Sequence, residues 1–365
     1  MKITALFGTR PETIKLAPFI QEGRKLGHDV KVVFTGQHRE MAMPLLNFFD
    51  ITPDIDLNIM RPNQDLASMS SLLLSELNAR EDLNDTDALI VQGDTSSAFV
   101  GAYWAFLKKI PVIHLEAGLR TNDIMSPFPE EANRQLIGRL AKVHFAPTLA
   151  AVTSLNSEGL FRNVFQIGNT GLDALRIVGE KVSDDNLPEE IKTFIQDKKF
   201  VLVTSHRREN FGQGMKDIAS ALKVLAKELP EIRFVFPVHL NPNVQTVMNE
   251  ELKDLPNLLL TKPLDYLPFV AMMKKATVII TDSGGIQEEA PTFRVPVVVM
   301  RESTERPEGV ELGFATLTGT EPGKIYGAVR EALEKGCQGK GPNPYGDGYS
   351  SKLAWNILSK DGVLK

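Results

Sequence analysis

The chain has 365 residues, 42% of them hydrophobic and 24% charged, with a net charge of −5 and a single cysteine, Cys337. These values are ordinary for a globular protein of about two domains, and they exclude an intrachain disulfide and argue against a nucleic-acid partner, which would favour a basic stripe. The opening MKITALFGTRPE is too short an apolar run for a signal-peptide core, and no apolar segment approaches the roughly 18 residues a membrane span needs, so a cytoplasmic protein without a membrane partner is expected.

Apolar runs rich in β-branched residues predict strands at 3–7, 30–34, 87–91, 111–115, 142–146 and 164–168. A second series follows at 200–204, 233–238, 257–261, 277–281 and 295–300. Runs that are apolar throughout belong to parallel sheets covered on both faces. The segments between them mostly carry helical periodicity, so the fold class is α/β, doubly wound. The two series repeat one plan. Each opens on a strand ending at a basic turn, FGTRPETIK (7–15) and TSHRREN (204–210), and each second strand ends at a polar turn, TGQH (35–38) and PVHLNP (237–242). This predicts two Rossmann-like domains facing each other across a cleft, residues 1–171 and 172–349, with the boundary near Gly171. The Gly/Pro-rich GKGPNPYGDGYSS then leads to a short helix, KLAWNIL, within about 350–365, expected to return to the first domain.

Ligands of open α/β sheets bind beyond the carboxyl ends of the strands. In VQGDTSS, Asp94 follows one strand; in HLEAGLR, Glu116 follows the next, one βαβ unit later. If those strands are adjacent they lie about 5 Å apart, and a carboxylate pair so placed can divide into an acid and a base. An Asp after a strand also serves as a helix cap, a role that EAG supports poorly for Glu116. In SPFPEEANR, Glu130 and Glu131 open a helix, where carboxylates complement the dipole. Arg10 and Lys15 sit after the first strand, with Pro11 suited to the first helical position. A cation at a helix start opposes the dipole, and a bound anion would resolve the conflict. His206, Arg207 and Arg208 repeat the situation in the second half. In TDSGGIQEEAP, the Ser283–Gly284–Gly285 turn would offer backbone N–H groups to phosphate at a helix start, with Glu289 farther along for ribose hydroxyls. His28, His114 and His144 read as structural, whereas His38 and His239 fit either a structural or a ligand-facing role. Zinc spacings, GxGxxG and GxxxxGK[ST] are all missing, so neither a metal nor nicotinamide chemistry is expected. Asp54 and Asp56 form a D-x-D outside any strong strand and are taken as incidental.

In order along residues 7–309, FGTRPETIKLAP, TGQHREM, VQGDTSSA, HLEAGLRT, PFPEEANR, GNTGLDAL, TSHRREN, PVHLNP, TDSGGIQEEAP and TERPEG resemble the non-hydrolysing UDP-N-acetylglucosamine 2-epimerases. The resemblance implies a glycosyltransferase-B fold and reversible conversion of UDP-GlcNAc to UDP-ManNAc with no cofactor. In that chemistry UDP leaves C1 as the C2 proton is removed, a glycal forms, and UDP re-adds with protonation on the other face. The carboxylates that match are Asp94, Glu116 and Glu130, and which of them serves which face stays open. His206 is counted with them and also matches a nucleotide position. Arg10, Lys15, Phe269, Ser283, Gly284, Gly285, Glu289 and Arg306 match further UDP-binding positions. Gln37, Glu130, Arg207 and His239 align with a second, activating UDP-GlcNAc site of some members. Glu40 and Asn63 depart from that site, and Leu264 departs from a glutamine near the uracil. Domain closure, a homodimer and a supply of ManNAc-type precursors for bacterial surface polysaccharide are also expected. The competing readings are a glycosyltransferase of the same fold, a hydrolysing epimerase releasing ManNAc, and a nucleotide-sugar sensor without turnover.

Overall fold

The computed structural model describes residues 1–61 and 64–364. Its strands are β1 (Lys2–Phe7), β2 (Asp29–Phe34), β3 (Ile55–Asp56), β4 (Ala88–Gln92), β5 (Val112–Leu115), β6 (Val143–Ala146), β7 (Val164–Gln166), β8 (Phe200–Thr204), β9 (Arg233–Pro237), β10 (Leu258–Thr261), β11 (Val278–Thr281), β12 (Val297–Val299) and β13 (Ala315–Leu317). Every expected run is a strand, with ends that agree to within two residues. The strands not anticipated, β3 and β13, are very short and close opposite sheet edges. β3 and β13 carry too little apolar sequence to stand out, whereas β7, an edge strand as short as β13, lies in the longer expected run 164–168.

Both sheets are parallel throughout, in the orders β3-β2-β1-β4-β5-β6-β7 and β10-β9-β8-β11-β12-β13. The described chain divides into two compact units, Met1–Ala174 with Tyr345–Lys365, and Leu175–Pro344. Each unit holds one sheet, and in each the strand order reverses beside the first strand, between β1 and β4 and between β8 and β11. That reversal opens a crevice at the carboxyl ends, the usual ligand position in such sheets.

Layering follows from the apolar pattern. All five residues of β4 are buried, and Leu6, Val33, Leu89 and Val91 share a core with Trp104 and Ile137 from the covering helices. In the second unit Met215, Ile218, Leu222 and Leu225 of helix Gln213–Glu228 cover Val201, Val203, Phe234 and Phe236. The terminal helix Ser350–Leu358 packs on helix Arg10–Lys25 through Trp355, which is fully buried. Its start is capped by the buried Asp173, which accepts the N–H groups of Ser350 and Ser351 at 3.0 and 2.7 Å, meeting donors that a helix start leaves without partners. His114 and His144 face each other in register on β5 and β6. Burial pushes their pKa values down to about 3 and about 4, so both are neutral core residues, as expected. His28 stacks on Trp355. No described helix is long and apolar enough to cross a membrane.

Candidate active site

In the first unit, the turns after β1, β4 and β5 carry the expected residues. Helix Arg10–Lys25 starts at Arg10, one residue before the expected Pro11, because Thr9 and Glu12 form a capping box. Lys15 on this helix is ion-paired through Nζ with Glu116 Oε2, and Gln92 Nε2 donates to the same oxygen at 2.9 Å. Glu116 follows β5 directly and has φ 62°. A non-glycine residue holds that left-handed conformation at a cost of about 1–3 kcal/mol, a pattern concentrated at functional sites.

Asp94 lies in the turn after β4. The following helix, Ser96–Leu107, is capped by Thr95, whose side chain accepts from the Ala98 N–H. The capping role considered for Asp94 therefore belongs to its neighbour. Asp94 Oδ2 instead accepts from Arg134, with Nε and Nη2 both at 2.7 Å. Its strand pairs with that of Glu116, Gln92 opposite Leu115. Burial pushes the Asp94 carboxyl above its ordinary value, and the charge of Glu116 adds to this; Arg134 and Lys15 oppose it without cancelling it. Two neighbouring carboxyls thus have different settings, one raised toward its neutral form and the other ion-paired to a lysine.

Glu131 lies in the first turn of its helix, as expected, and is also wholly buried. It accepts from the Thr121 N–H at 3.1 Å, Arg134 Nη1 at 3.0 Å and Gln135 Nε2 at 3.0 Å. Burial opposes its charge, but these donors hold its pKa below the ordinary value. It thereby anchors the arginine that grips Asp94. Glu130, the first residue of helix Glu130–Leu140, is half-buried beside it. Glu12 was also missed. It is buried, accepts from the Gly8 and Thr9 N–H groups at 3.1 and 2.8 Å, and takes the Thr95 hydroxyl at 2.7 Å. One side chain so ties the turn after β1 to the turn after β4. Gln37 accepts weakly from Ser97 Oγ at 3.4 Å. Arg10 is close enough to His38 that its charge adds to burial in lowering the histidine pKa.

In the second unit, β8 and β11 are neighbours, with Thr204 opposite Thr281. His206 and Arg207 therefore lie beside Asp282 and Ser283. Asp282, absent from the expected set, is fully buried and serves as the hub of this end of the sheet. Ser205 Oγ, the His206 and Arg207 N–H groups, and Asn210 Nδ2 all donate to it. Burial would raise its pKa, but His206 and Arg207 lead the donors that hold it below the ordinary carboxylate value. The His206 ring lies 6.1 Å from that of His239, so these two residues come together.

Helix Gly284–Glu289 follows, with Ser283 at its cap position, as the motif predicts. Gly284 has a packing reason of its own. A Cβ there would stand 2.6 Å from Arg306 Cζ, so the glycine admits the Arg306 guanidinium. That guanidinium is itself held, Nε to Glu288 Oε1 at 2.8 Å and Nη1 to Glu305 Oε2 at 3.2 Å. Arg301, nearly buried, braces Glu305 and Glu209, and its guanidinium leads the effects that pull the Glu305 pKa down to about 2. Glu289 ends the helix, half-buried. Its charge adds to burial in raising the Tyr266 phenol pKa, which places it near helix Tyr266–Lys275, the helix of Phe269.

A family model described as UDP-N-acetylglucosamine 2-epimerase matches residues 22–359. The chain belongs to the UDP-N-acetylglucosamine 2-epimerase family. It is an isomerase acting on a nucleotide sugar. It is 45% identical over 374 residues to the UDP-N-acetylglucosamine 2-epimerase of Yersinia pestis, covering 100% of both chains. It is 42% identical to the UDP-GlcNAc 2-epimerase of Neisseria meningitidis, solved bound to UDP-GlcNAc, with a TM-score of 0.83 and coverage of 98% of this chain and 99% of that one. At the level of fold alone it is similar to the glycotransferase of kitacinnamycin, with TM-score 0.58 and 15% identity over 98% of this chain and 93% of that one. The fold is of glycosyltransferase-B type. In this epimerase the D-x-D is structural: Asp54 Oδ2 accepts the Val32 N–H at 2.7 Å, and Asp56 is ion-paired with Arg39. Glu40, one of the departures, is exposed on helix Arg39–Phe48, and Asn63 lies outside the described residues.

Proposed function

We propose that the chain interconverts UDP-GlcNAc and UDP-ManNAc without net hydrolysis, by elimination and re-addition of UDP. The C2 proton is not acidic, so its removal has to be coupled to departure of a good leaving group. A base takes the proton, the C2–H electron pair becomes the C1=C2 double bond, and the C1–O pair leaves on the β-phosphate of UDP. In the return step that phosphate oxygen attacks C1, and an acid protonates C2 from the other face. The reaction needs one carboxyl able to give a proton and one able to take it.

The observation that carries this reading is the pair on neighbouring strand ends. Asp94 is raised by burial and gripped by Arg134, and Glu116 is paired with Lys15. We assign proton exchange to Asp94 and Glu116 with Glu130 as the third carboxylate, leaving open which serves which face. Arg10, Lys15, His206, Ser283, Gly284, Gly285 and Arg306 are assigned to the pyrophosphate, Glu289 to the ribose and Phe269 to the uracil. The Neisseria meningitidis relative bound to UDP-GlcNAc supports the substrate. Activation by a second UDP-sugar through Gln37, Arg207 and His239 is left out of the proposal, because the Glu40 carboxylate would repel another pyrophosphate. The family resemblance also supports a cytoplasmic homodimer that supplies ManNAc-type precursors for surface polysaccharide.

UDP-GlcNAc labelled with ¹⁸O in the C1–O–P bridge tests the bond cleavage. During turnover, ³¹P NMR should show label spreading into the non-bridging oxygens of the β-phosphate. Epimerisation with the label confined to the bridge would overturn elimination.

A further inference from the structure

We infer that Asp282 is a positioning residue that sets the ring orientation and tautomer of His206, leaving Nε2 as the ring atom offered to a ligand. The inference starts from topology. β8 and β11 run side by side with Thr204 opposite Thr281, so the chain leaves both strands at the same level. Asp282 then meets Ser205, His206 and Arg207. Its carboxylate is fully buried and receives Ser205 Oγ at 2.8 Å, the His206 N–H at 3.0 Å, the Arg207 N–H at 3.0 Å and Asn210 Nδ2 at 3.1 Å. These donors fix the carboxylate in place before the imidazole is considered.

His206 Nδ1 lies 3.2 Å from Asp282 Oδ1. An ionised carboxylate only accepts, so this contact requires a proton on Nδ1. Which ring nitrogen carries the proton is set by the hydrogen bond the other one makes. In the neutral ring Nε2 therefore holds the lone pair, and in the cation it carries the second proton. Either way Nε2 is the exchanging atom, on a side chain that is 43% exposed while its anchor has no exposure at all. A carboxylate orienting an imidazole in this way is a recurrent device for histidines that work on substrates. The catalytic consequence, that Nε2 faces the departing pyrophosphate, rests on the function proposed above; the tautomer does not.

The test uses the full chain labelled with ¹⁵N. Long-range ¹H–¹⁵N correlation at a pH where the ring is neutral reads the tautomer, with His206 assigned by loss of its signals in His206→Gln. The expected result is a protonated Nδ1 and an unprotonated Nε2; the reverse would overturn the inference, and this measurement needs no Asp282 variant to fold. Asp282→Asn can donate to Nδ1 and should move the ring toward the Nε2–H tautomer, with kcat falling at least about tenfold and KM for UDP-GlcNAc little changed. Ser205→Ala removes another donor to the same carboxylate and should leave the tautomer alone; a tautomer change there would show general loosening and overturn the specific role of Asp282. If Asp282→Asn switches the tautomer with kcat unchanged, the tautomer assignment stands and the catalytic role given to His206 falls.

Discussion

Asp94→Asn is expected to lower kcat for C2 epimerisation by about 10²- to 10⁴-fold, the usual contribution of a positioned acid or base, while UDP binds nearly as well as to the unmodified chain. The amide keeps the shape of the side chain and an oxygen for Arg134, but it cannot exchange a proton. Arg134 retains Glu131 at 3.0 Å, so the strut behind the site stays in place. The residues assigned to ribose and base, Glu289 and Phe269, belong to the other unit. Steady-state kinetics with UDP-GlcNAc and calorimetric titration with UDP separate the two effects. A kcat within about tenfold of wild type would remove Asp94 from proton transfer.

The second large effect is structural. Trp355→Ala should lower the free energy of urea unfolding by about 3–5 kcal/mol, the range for truncating a buried tryptophan. The indole is fully buried. It stacks on Phe19 with centroids 4.6 Å apart and on His28 at the same distance, and its N–H donates to the Phe19 carbonyl at 2.8 Å. Gly23 makes room for it, since a Cβ there would stand 2.2 Å from Trp355 Cζ2. Truncation would leave a cavity against helix Arg10–Lys25 and remove the indole donor that the Phe19 carbonyl has in addition to its helix hydrogen bond. Because the same helix begins with Arg10 and bears Lys15, the variant links the terminal helix to the turn after β1. A cost below about 1 kcal/mol would mean that the helix contributes little to holding this unit together.

The sheets were legible in the sequence because their central strands are continuously apolar, a pattern that a parallel sheet covered on both faces requires. β3 and β13 were not, since each carries too little apolar sequence of its own to stand out. At the site, the residues that stood out were charged or small groups placed just after strands, where topology gives position to anything the sequence puts there. Asp94, Glu116, His206 and Ser283 stood out in that way. Of the residues that hold them, Lys15 stood out too, but Arg134 and Asp282 did not. Arg134 lies 40 positions from Asp94, and Asp282 lies 76 from His206. Such pairings exist only once strands are placed side by side. Asp282 was within reach, because its strand end adjoins that of the basic SHRREN turn and a buried acid next to such a turn has an evident partner. Glu131 sits in a first helical turn as read, but its burial and its contacts with Thr121, Arg134 and Gln135 are tertiary and have no signal in the sequence.

The most direct measurement is epimerisation in deuterated water. With UDP-GlcNAc and no added nucleotide cofactor, the anomeric proton signals in ¹H NMR should show UDP-ManNAc appearing to equilibrium, with deuterium at C2 of the product and, on continued turnover, of the recovered substrate. Protium retained at C2, or free ManNAc as the main product, would contradict proton exchange through Asp94 and Glu116 coupled to reversible loss of UDP.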